Sequence, residues 1–192
     1  VAATWQEYVD YQDIRVLEIG MDLAYFDHLK RLAKDLGHPL LESLVTLTID
    51  CYNVITVERA LSLKKPGSFM KQLLSDAGTL SAREVIQCVE QGNLISWFQQ
   101  VNPLPYDVEL SRYEEQMRAG RVSAETVEYL EHVIKYRILE QASFETDGPL
   151  PLARYLFGKE LEVKNLRLVL TGLDNQLPID KIKERMRPIY GQ

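Results

Sequence analysis

Residues 49–54 read Ile-Asp-Cys-Tyr-Asn-Val, and residues 161–167 read Leu-Glu-Val-Lys-Asn-Leu-Arg. In both stretches an acid precedes an asparagine by three residues, and the two stretches lie 112 residues apart inside long apolar runs. Residues three apart share one face of an α-helix. The two stretches therefore predict a repeated helical unit, and repeat proteins more often hold partners than catalyse reactions.

Apolar residues recur with a helical period through nearly the whole chain. The pattern predicts helices over residues 21–36, 40–63, 68–75, 81–91, 93–100, 106–118, 123–142, 150–171 and 178–188. Ser81 and Glu84 have the spacing of a capping box at a helix start. Gly37 and Gly172 are expected to end helices. Residues 14–19 alternate between apolar and polar and predict a short extended piece, but the fold as a whole is predicted to be all-α.

The clearest internal break is Asn-Pro-Leu-Pro at residues 102–105. We place a boundary there, which gives a first helical lobe over residues 1–102, including an N-terminal lead-in, and a second lobe over residues 103–192. Trp97 and Phe98 are expected to anchor the core of the first lobe, because aromatic side chains bury the largest apolar surface.

Composition excludes several classes of protein. A net charge of −6 argues against general nucleic-acid binding, which needs a basic face. No apolar run approaches the roughly 20 residues that span a bilayer, so no lipid-inserted helix is expected. Cys51 and Cys88 show no metal-like spacing, and we interpret them as buried free thiols of a reducing compartment rather than a disulfide.

Patterns that carry catalysis are missing from the sequence. His28, His38 and His132 are scattered, and none has a second ligand one helical turn away. Asp35 and His38 have suitable side chains for a metal, but Gly37 breaks the helix between them. No glycine-rich phosphate loop or nucleophile motif occurs. We therefore expect no catalytic residue, no metal and no cofactor.

The polar residues of the two opening stretches allow two interpretations. Asp50, Asn53, Glu162, Asn165 and Arg167 can be buried or half-buried groups that bond neighbouring helices or loops. We favour this interpretation, because a buried polar group without a partner costs about 1–3 kcal/mol and a fold keeps several only when they are paired. Alternatively, these residues line a concave surface that receives a partner helix.

A family resemblance appears at these residues. Residues 149–170 read Pro-Leu-Pro-Leu-Ala-Arg-Tyr-Leu-Phe-Gly-Lys-Glu-Leu-Glu-Val-Lys-Asn-Leu-Arg-Leu-Val-Leu. This stretch resembles the pattern Y-L-x-x-K-E-x-E-x-x-N-[IL]-R-x-[IL]-L of the C subunits of the bacterial and archaeal V/A-type rotary ATPases, which are the counterparts of the d subunit in eukaryotic vacuolar ATPases. In the first lobe, Asp50, Asn53 and Arg59 are similar to the family's I-D-x-x-N-x-x-x-x-x-R pattern. Leu173 stands where the family usually has a lysine.

The resemblance implies a fold. Family members are longer and consist of three related helical lobes arranged as a funnel with pseudo-threefold symmetry. This chain resembles two of those lobes, either because the first was removed or because the chain is a shortened relative. The family-motif positions, structural or partner-contacting, are Asp50, Asn53, Arg59, Glu162, Asn165 and Arg167.

The resemblance also implies a function. Family members form a non-catalytic socket between the central rotor stalk and the membrane rotor ring of a proton- or sodium-translocating ATPase, on the cytoplasmic face of the membrane. The expected partners are the central stalk subunits and the rotor ring. The alternatives are a generic helical adaptor or regulatory module and, more remotely, an enzyme that uses carboxylates in a helical cleft. Stalk binding separates the first two, and a metal-dependent melting temperature marks a metal enzyme.

Overall fold

The computed structural model describes residues 2–12, 14–101, 108–119, 122–189 and 191. These residues form ten α-helices and no β-strand, which confirms the all-α prediction. The helices are α1 (Ala2–Tyr11), α2 (Ile14–Leu36), α3 (Pro39–Ser62), α4 (Gly67–Leu73), α5 (Ala82–Glu90), α6 (Ile95–Val101), α7 (Val108–Arg118), α8 (Ala124–Glu140), α9 (Leu150–Asp174) and α10 (Ile179–Glu184).

The chain divides into two compact units, residues 1–127 and residues 128–192. The first contains α1 to α7 and the first turn of α8, and the second contains the rest of α8 with α9 and α10. The predicted lobe boundary after residue 102 falls on residues 102–107, outside the described residues. The division into lobes at that point therefore stays a prediction.

Helix α3 is the core of the first unit, and α2, α4 and α5 pack against it. Its side chains are buried on most sides, as the apolar sequence predicts. The fully buried apolar residues of α3 include Leu47, Ile49, Cys51, Val54 and Val57. Trp97 and Phe98 are 2% and 0% exposed, so both predicted core anchors lie in the interior.

The ends of α3 follow from local chemistry. Gly37 takes a φ of +64°, a left-handed conformation that glycine tolerates without strain. His38 then caps α3, because its Nδ1 accepts a hydrogen bond from the amide of Leu40 at 3.3 Å. Pro39 occupies the first turn, where its missing N–H group has no consequence. His38 therefore serves as a helix cap, which is a sufficient reason for a histidine at this position.

In length and composition, α3 is the one helix in the described ranges that could cross a bilayer. The sequence predicts no stretch of this kind, and α3 is the exception. The core helix of a globular unit meets the same two criteria. Because three helices pack against α3 and its interior face carries Asp50 and Asn53, we assign it as a core helix.

The second unit is built on α8 and α9, with α10 packed against α9. The interior side of α8 carries the predicted apolar stripe, including buried Leu130, Ile134 and Ile138. Arg154 on α9 donates from Nε to Glu140 on α8 at 2.8 Å, which joins the two helices at one end. At the start of α8, the hydroxyl of Ser123 accepts from the amide of Thr126 at 3.2 Å, which caps the helix.

The predicted extended piece at residues 14–19 is wrong, because these residues form the first turns of α2. Half-buried Val16, Ile19 and Leu23 follow a spacing of three and four residues, which is a helical period. Six residues of alternation are too few to separate a strand from the start of an amphipathic helix. The packing of α1 against α2 decides in favour of the helix.

The predicted role of Gly172 is also wrong. Helix α9 continues past it to Asp174, and the chain leaves the helix through Gln176, which has a φ of +56°. Gly172 is buried inside α9 because α10 approaches it closely. A Cβ atom at this position would lie 2.7 Å from Cδ1 and 2.8 Å from Cγ1 of Ile182. The glycine therefore serves close packing rather than helix termination.

We expect Gly172→Ala to lower the free energy of unfolding by about 1–2 kcal/mol. The added methyl group overlaps Ile182, and this strain exceeds the roughly 1 kcal/mol that alanine gains over glycine inside a helix. Urea unfolding measures the loss. Combining Gly172→Ala with Ile182→Ala should give less than the sum of the two single losses, since the second change opens the space.

Gly67→Ala is the matched control, because a Cβ atom at residue 67 meets no heavy atom within 4 Å. Its unfolding free energy should stay within about 0.5 kcal/mol of the wild type. Strictly additive losses at residues 172 and 182 would contradict the packing explanation.

Candidate functional site

Asn53 joins α3 to the loop that follows α4. Its Nδ2 donates to the carbonyl of Ser75 at 2.8 Å, and its Oδ1 accepts from the amide of Ser75 at 3.0 Å. Both residues are buried, with Asn53 0% and Ser75 4% exposed. One side-chain amide thus satisfies both backbone groups of a residue that no helix or sheet partner reaches.

Asn165 makes the same arrangement in the second unit. Its Nδ2 donates to the carbonyl of Arg187 at 3.0 Å, and its Oδ1 accepts from the amide of Arg187 at 2.8 Å. The bonded residues are 22 positions apart in both cases. We call each arrangement an asparagine clamp.

The elements around the two clamps also match at an offset of 112 residues. Lys64 and Gln176 follow the ends of α3 and α9 with φ values of +54° and +56°. Pro66 and Pro178 then precede α4 and α10, the short helices that pack back on α3 and α9. The repeat predicted from two polar stretches therefore extends over α3–α4 and α9–α10.

Asp50 lies one turn before Asn53 and bonds a second point of the same loop. Its Oδ1 accepts from the amide of Thr79 at 2.7 Å. Gly78 is required beside it, because a Cβ atom there would collide with Oδ1 of Asp50. The carboxylate and the loop backbone therefore approach as closely as their atoms permit.

Burial raises the pKa of Asp50, which is 1% exposed. Hydrogen bonds from the hydroxyl and amide of Thr79 and the proximity of the Trp97 indole oppose this effect. The Oδ2 atom of Asp50 and the Nε1 atom of Trp97 are both buried, and neither meets a partner at hydrogen-bond geometry. Hydrogen bonds thus only partly offset the cost of burying the negative charge of Asp50.

The other three motif residues lie differently. Glu162 occupies the position of Asp50 in the second unit, but it is half-exposed and pairs with Lys159 of its own helix at 2.8 Å. Arg59 and Arg167 are exposed on α3 and α9. The structure therefore brings Asp50 and Asn53 together in one buried loop contact, places Asn165 in a second, and leaves Glu162, Arg59 and Arg167 outside both.

Sequence reasoning missed a buried contact at His132. This residue is 8% exposed on α8, and its Nε2 lies 2.6 Å from the Nζ of Lys164 on α9. Because an ammonium group only donates, Nε2 accepts and the ring proton sits on Nδ1. Burial is the largest of the effects that lower the pKa of His132 to about 3. The charges of Lys164, Arg187 and Lys135 add to it, and Glu160 opposes it.

A signal for this contact was present in the sequence. His132 falls within the apolar stripe of α8, between buried Leu130 and Val133. A histidine in such a stripe is expected to be buried and neutral. Its partner Lys164 could not be identified, because the contact joins two helices 32 residues apart in sequence.

The two asparagine clamps can restrain the backbone, but they leave few polar atoms that could bind a substrate. The polar atoms of Asn53 and Asn165 are engaged by the loops that they hold. In the described part of the chain, no three metal-ligating side chains come together. A shallow depression of about 490 Å³ lies against α2, lined by Ala24, Asp27, Lys30, Arg31 and Ala77, and contains none of the predicted residues. Cys51 is buried and Cys88 half-buried, and both are free thiols.

Comparison with known proteins gives a match over almost the whole chain. The family model described as ATP synthase (C/AC39) subunit matches residues 2–185. The C subunit of the V-type sodium ATPase of Enterococcus hirae is 30% identical over 177 residues, which cover 91% of this chain and 52% of that protein. The C subunit of the A-type ATP synthase of Pyrococcus horikoshii is 23% identical over 175 residues, which cover 90% and 47%. This chain thus spans about half the length of these relatives, and no solved structure matches it.

We expect Asn53→Ala to lower the free energy of unfolding by about 2–4 kcal/mol and Asn165→Ala by about 1–3 kcal/mol. Each change removes two hydrogen bonds and leaves a backbone amide and carbonyl without partners. The loss is larger at Asn53 because Ser75 is more buried than Arg187. Chemical denaturation measures both.

Asn175→Ala is the control. It removes a single exposed bond to Thr171 and should change stability by no more than about 0.5 kcal/mol. Equal effects at residues 165 and 175 would contradict the clamp.

We expect Asp50→Asn to gain stability relative to the wild type as the pH rises from about 4 to about 7. A carboxyl group whose pKa is higher in the folded than in the unfolded chain stabilises the fold fully only below its unfolded pKa, and this contribution is lost as the pH rises through the folded pKa. Asparagine removes the charge but keeps an oxygen for the amide of Thr79. Denaturation of both proteins across this pH range measures the difference.

Asp50→Ala is the control, since alanine offers the amide of Thr79 no acceptor. This variant should be less stable than the wild type by roughly 1–3 kcal/mol at both ends of the range. A difference between the wild type and Asp50→Asn that does not depend on pH would show that burial of the charge is unimportant.

Proposed function

Because the chain belongs to the ATP synthase (C/AC39) subunit family, we propose that it is a non-catalytic coupling subunit of a V/A-type rotary ATPase. In this proposal it forms part of a socket between the central rotor stalk and the membrane rotor ring, and passes torque from one to the other. The complex translocates protons or sodium ions. The family match over residues 2–185 is the observation that carries the proposal.

The clamps support a mechanical role. An element that passes torque must resist bending between its two contacts, and its surface must be rigid where partners bind. Asn53 and Asn165 each fix a loop to the central helix of their unit through two hydrogen bonds. Asp50 adds a third bond to the first of these loops. Stiffness of this kind requires no nucleotide and no reactive side chain.

In this proposal the six motif residues have two roles, one inside the protein and one at its surface. Asp50, Asn53 and Asn165 serve the interior of the protein. Arg59, Glu162 and Arg167 are accessible and are proposed to contact partners. Charged residues at the rim of an interface chiefly guide association and set its specificity, so we expect moderate effects of each alone.

We propose that the partners are the central stalk subunits and the rotor ring, and that the protein lies on the cytoplasmic face of the membrane without inserting into lipid. The assignment of α3 as a core helix supports peripheral attachment, because α2, α4 and α5 already cover much of its apolar surface. Contact with the ring then involves polar loops of the ring rather than the bilayer.

We expect the purified chain to bind isolated central stalk subunits and to hydrolyse no ATP. A pull-down measures binding, and phosphate release measures hydrolysis. In a reconstituted complex, omission of this chain should leave ATP hydrolysis but abolish ATP-driven ion transport, and its addition should restore transport. The physical reason is that hydrolysis and transport occur on different parts of the machine and are joined only through the rotor.

Glu162→Ala and Arg167→Ala should weaken stalk binding about two- to tenfold at an unchanged melting temperature. Asn175→Ala, also polar and exposed near the end of α9, is the matched control and should bind as the wild type does. Turnover of ATP by the pure chain would overturn the non-catalytic assignment. Failure of the correctly folded chain to bind any of the stalk subunits would favour the helical adaptor instead.

A further inference from the structure

Helix α9 has an apolar face that the structure leaves uncovered. We call this face the α9 seam, and its six apolar members are 47–66% exposed. The one charged member, Lys159, has a side chain that is 48% exposed. The α9 seam consists of Leu152, Leu156, Lys159, Val163, Leu166, Leu170 and Leu173.

The members of the α9 seam are separated by alternating steps of four and three residues. This is the heptad spacing of a coiled coil, which keeps a straight line of side chains directed at a partner helix. From Leu152 to Leu173 the line is about 33 Å long. An exposed apolar surface of this extent on a polar protein marks an interaction site.

In the first unit, other parts of the chain cover the equivalent face of α3. The positions of α3 that correspond to the α9 seam at the 112-residue offset are all buried or half-buried. Leu47, Cys51 and Val54, which correspond to Lys159, Val163 and Leu166, are at most 2% exposed. The equivalent face is interior in one copy of the repeat and bare in the other.

We propose that the α9 seam binds the α9 seam of a second copy of this chain, in an antiparallel pair of helices related by a twofold axis. The antiparallel direction follows from Lys159. In a parallel pair, Lys159 would face its own counterpart in the middle of an apolar interface. In the antiparallel pair centred on Val163 and Leu166, it faces Leu170 of the second copy.

Lys159 already adopts a conformation that suits such a pair. Its ammonium group lies 2.8 Å from Glu162 and 5.8 Å from the ring centre of Tyr155, both beside the seam. The charge is therefore drawn to the edge while the aliphatic stem stays on the seam, as long cationic side chains do at apolar surfaces.

Charges that flank the seam are complementary in this arrangement, in which Glu160 keeps its ion pair with Lys164 of its own helix at 2.7 Å and gains a second cation from the other copy. Glu160 and Arg167 occupy equivalent edge positions of successive heptads, and the antiparallel register brings Glu160 of one copy beside Arg167 of the other, twice by symmetry. In a parallel pair, Arg167 would instead face Glu162. The identity of the acid that pairs with Arg167 therefore reports the direction of the helices.

The size of the seam sets the expected affinity. A line about 33 Å long on a helix about 10–12 Å wide gives roughly 1,000 Å² buried over both copies once the curvature of the helix is counted. This lies below the range of tight dimers and suits a weak, reversible pair with a dissociation constant on the order of micromolar. Arg167 lies beside the seam and is proposed above to contact a partner in the ATPase complex. We therefore expect self-pairing only in chains that are not assembled into that complex.

Sedimentation velocity over about 1–200 µM tests the proposal on the full chain. We expect a monomer–dimer equilibrium, and we expect Leu166→Glu to raise the dissociation constant at least about tenfold. Phe144→Glu is the matched control, because Phe144 is 95% exposed and lies outside α9. It should leave the dissociation constant unchanged. Thermal melting of each variant shows that it is folded.

Charge reversal tests the direction of the pair. Arg167→Glu should weaken the dimer several-fold, and Glu160→Arg combined with Arg167→Glu should restore it. Restoration by Glu162→Arg with Arg167→Glu instead would overturn the antiparallel arrangement. A monomer at all concentrations, or a dimer that Leu166→Glu does not weaken, would overturn the proposal itself. Neither result bears on the proposed binding to the stalk, which the pull-down tests separately.

Discussion

The structure depends on the pairing of one asparagine side chain with the backbone of a loop residue. An asparagine amide presents a donor and an acceptor in one plane, as a peptide group does, and can replace a missing strand or helix partner. Asn53 and Asn165 provide this pairing at the same spacing in the two units. Without it, each loop would carry a backbone amide and carbonyl into a partly dry environment with no partner, at about 1–3 kcal/mol for each group. The clamps thus allow a chain segment without secondary structure to lie against an apolar helix.

Local features of the fold could be predicted from the sequence because neighbouring residues decide them. The hydroxyl of Ser81 accepts from the amide of Glu84, and Oε2 of Glu84 accepts from the amide of Ser81, which forms the predicted capping box. Pro39 opens α3, and the period of apolar residues locates α8 and α9. The pairing of an acid with an asparagine one turn later also pointed to the two clamped helices, since polar residues in an apolar run require partners.

Features set by distant residues could not be predicted. Gly172 has the sequence context of a helix terminator, but Ile182, ten residues later, requires a glycine inside α9. Glu162 has the sequence position of Asp50, but it is half-exposed and pairs with Lys159 of its own helix. The leucines of α9 have the period of a core helix, although several are more than half exposed. Hydropathy gives the side chains that would gain from burial, and only the packed structure shows which have been covered.

Each clamp holds its loop through main-chain atoms alone. A serine receives the asparagine in the first unit and an arginine in the second, and the bond lengths differ by no more than 0.2 Å. The two clamp bonds therefore do not involve the side chain of the residue that is held, whereas the residue that holds it needs a primary amide of the right length. At the partly exposed Arg187, evolution can therefore change the side chain without breaking the two bonds, so the surface there can adapt to new neighbours while the internal contact stays the same.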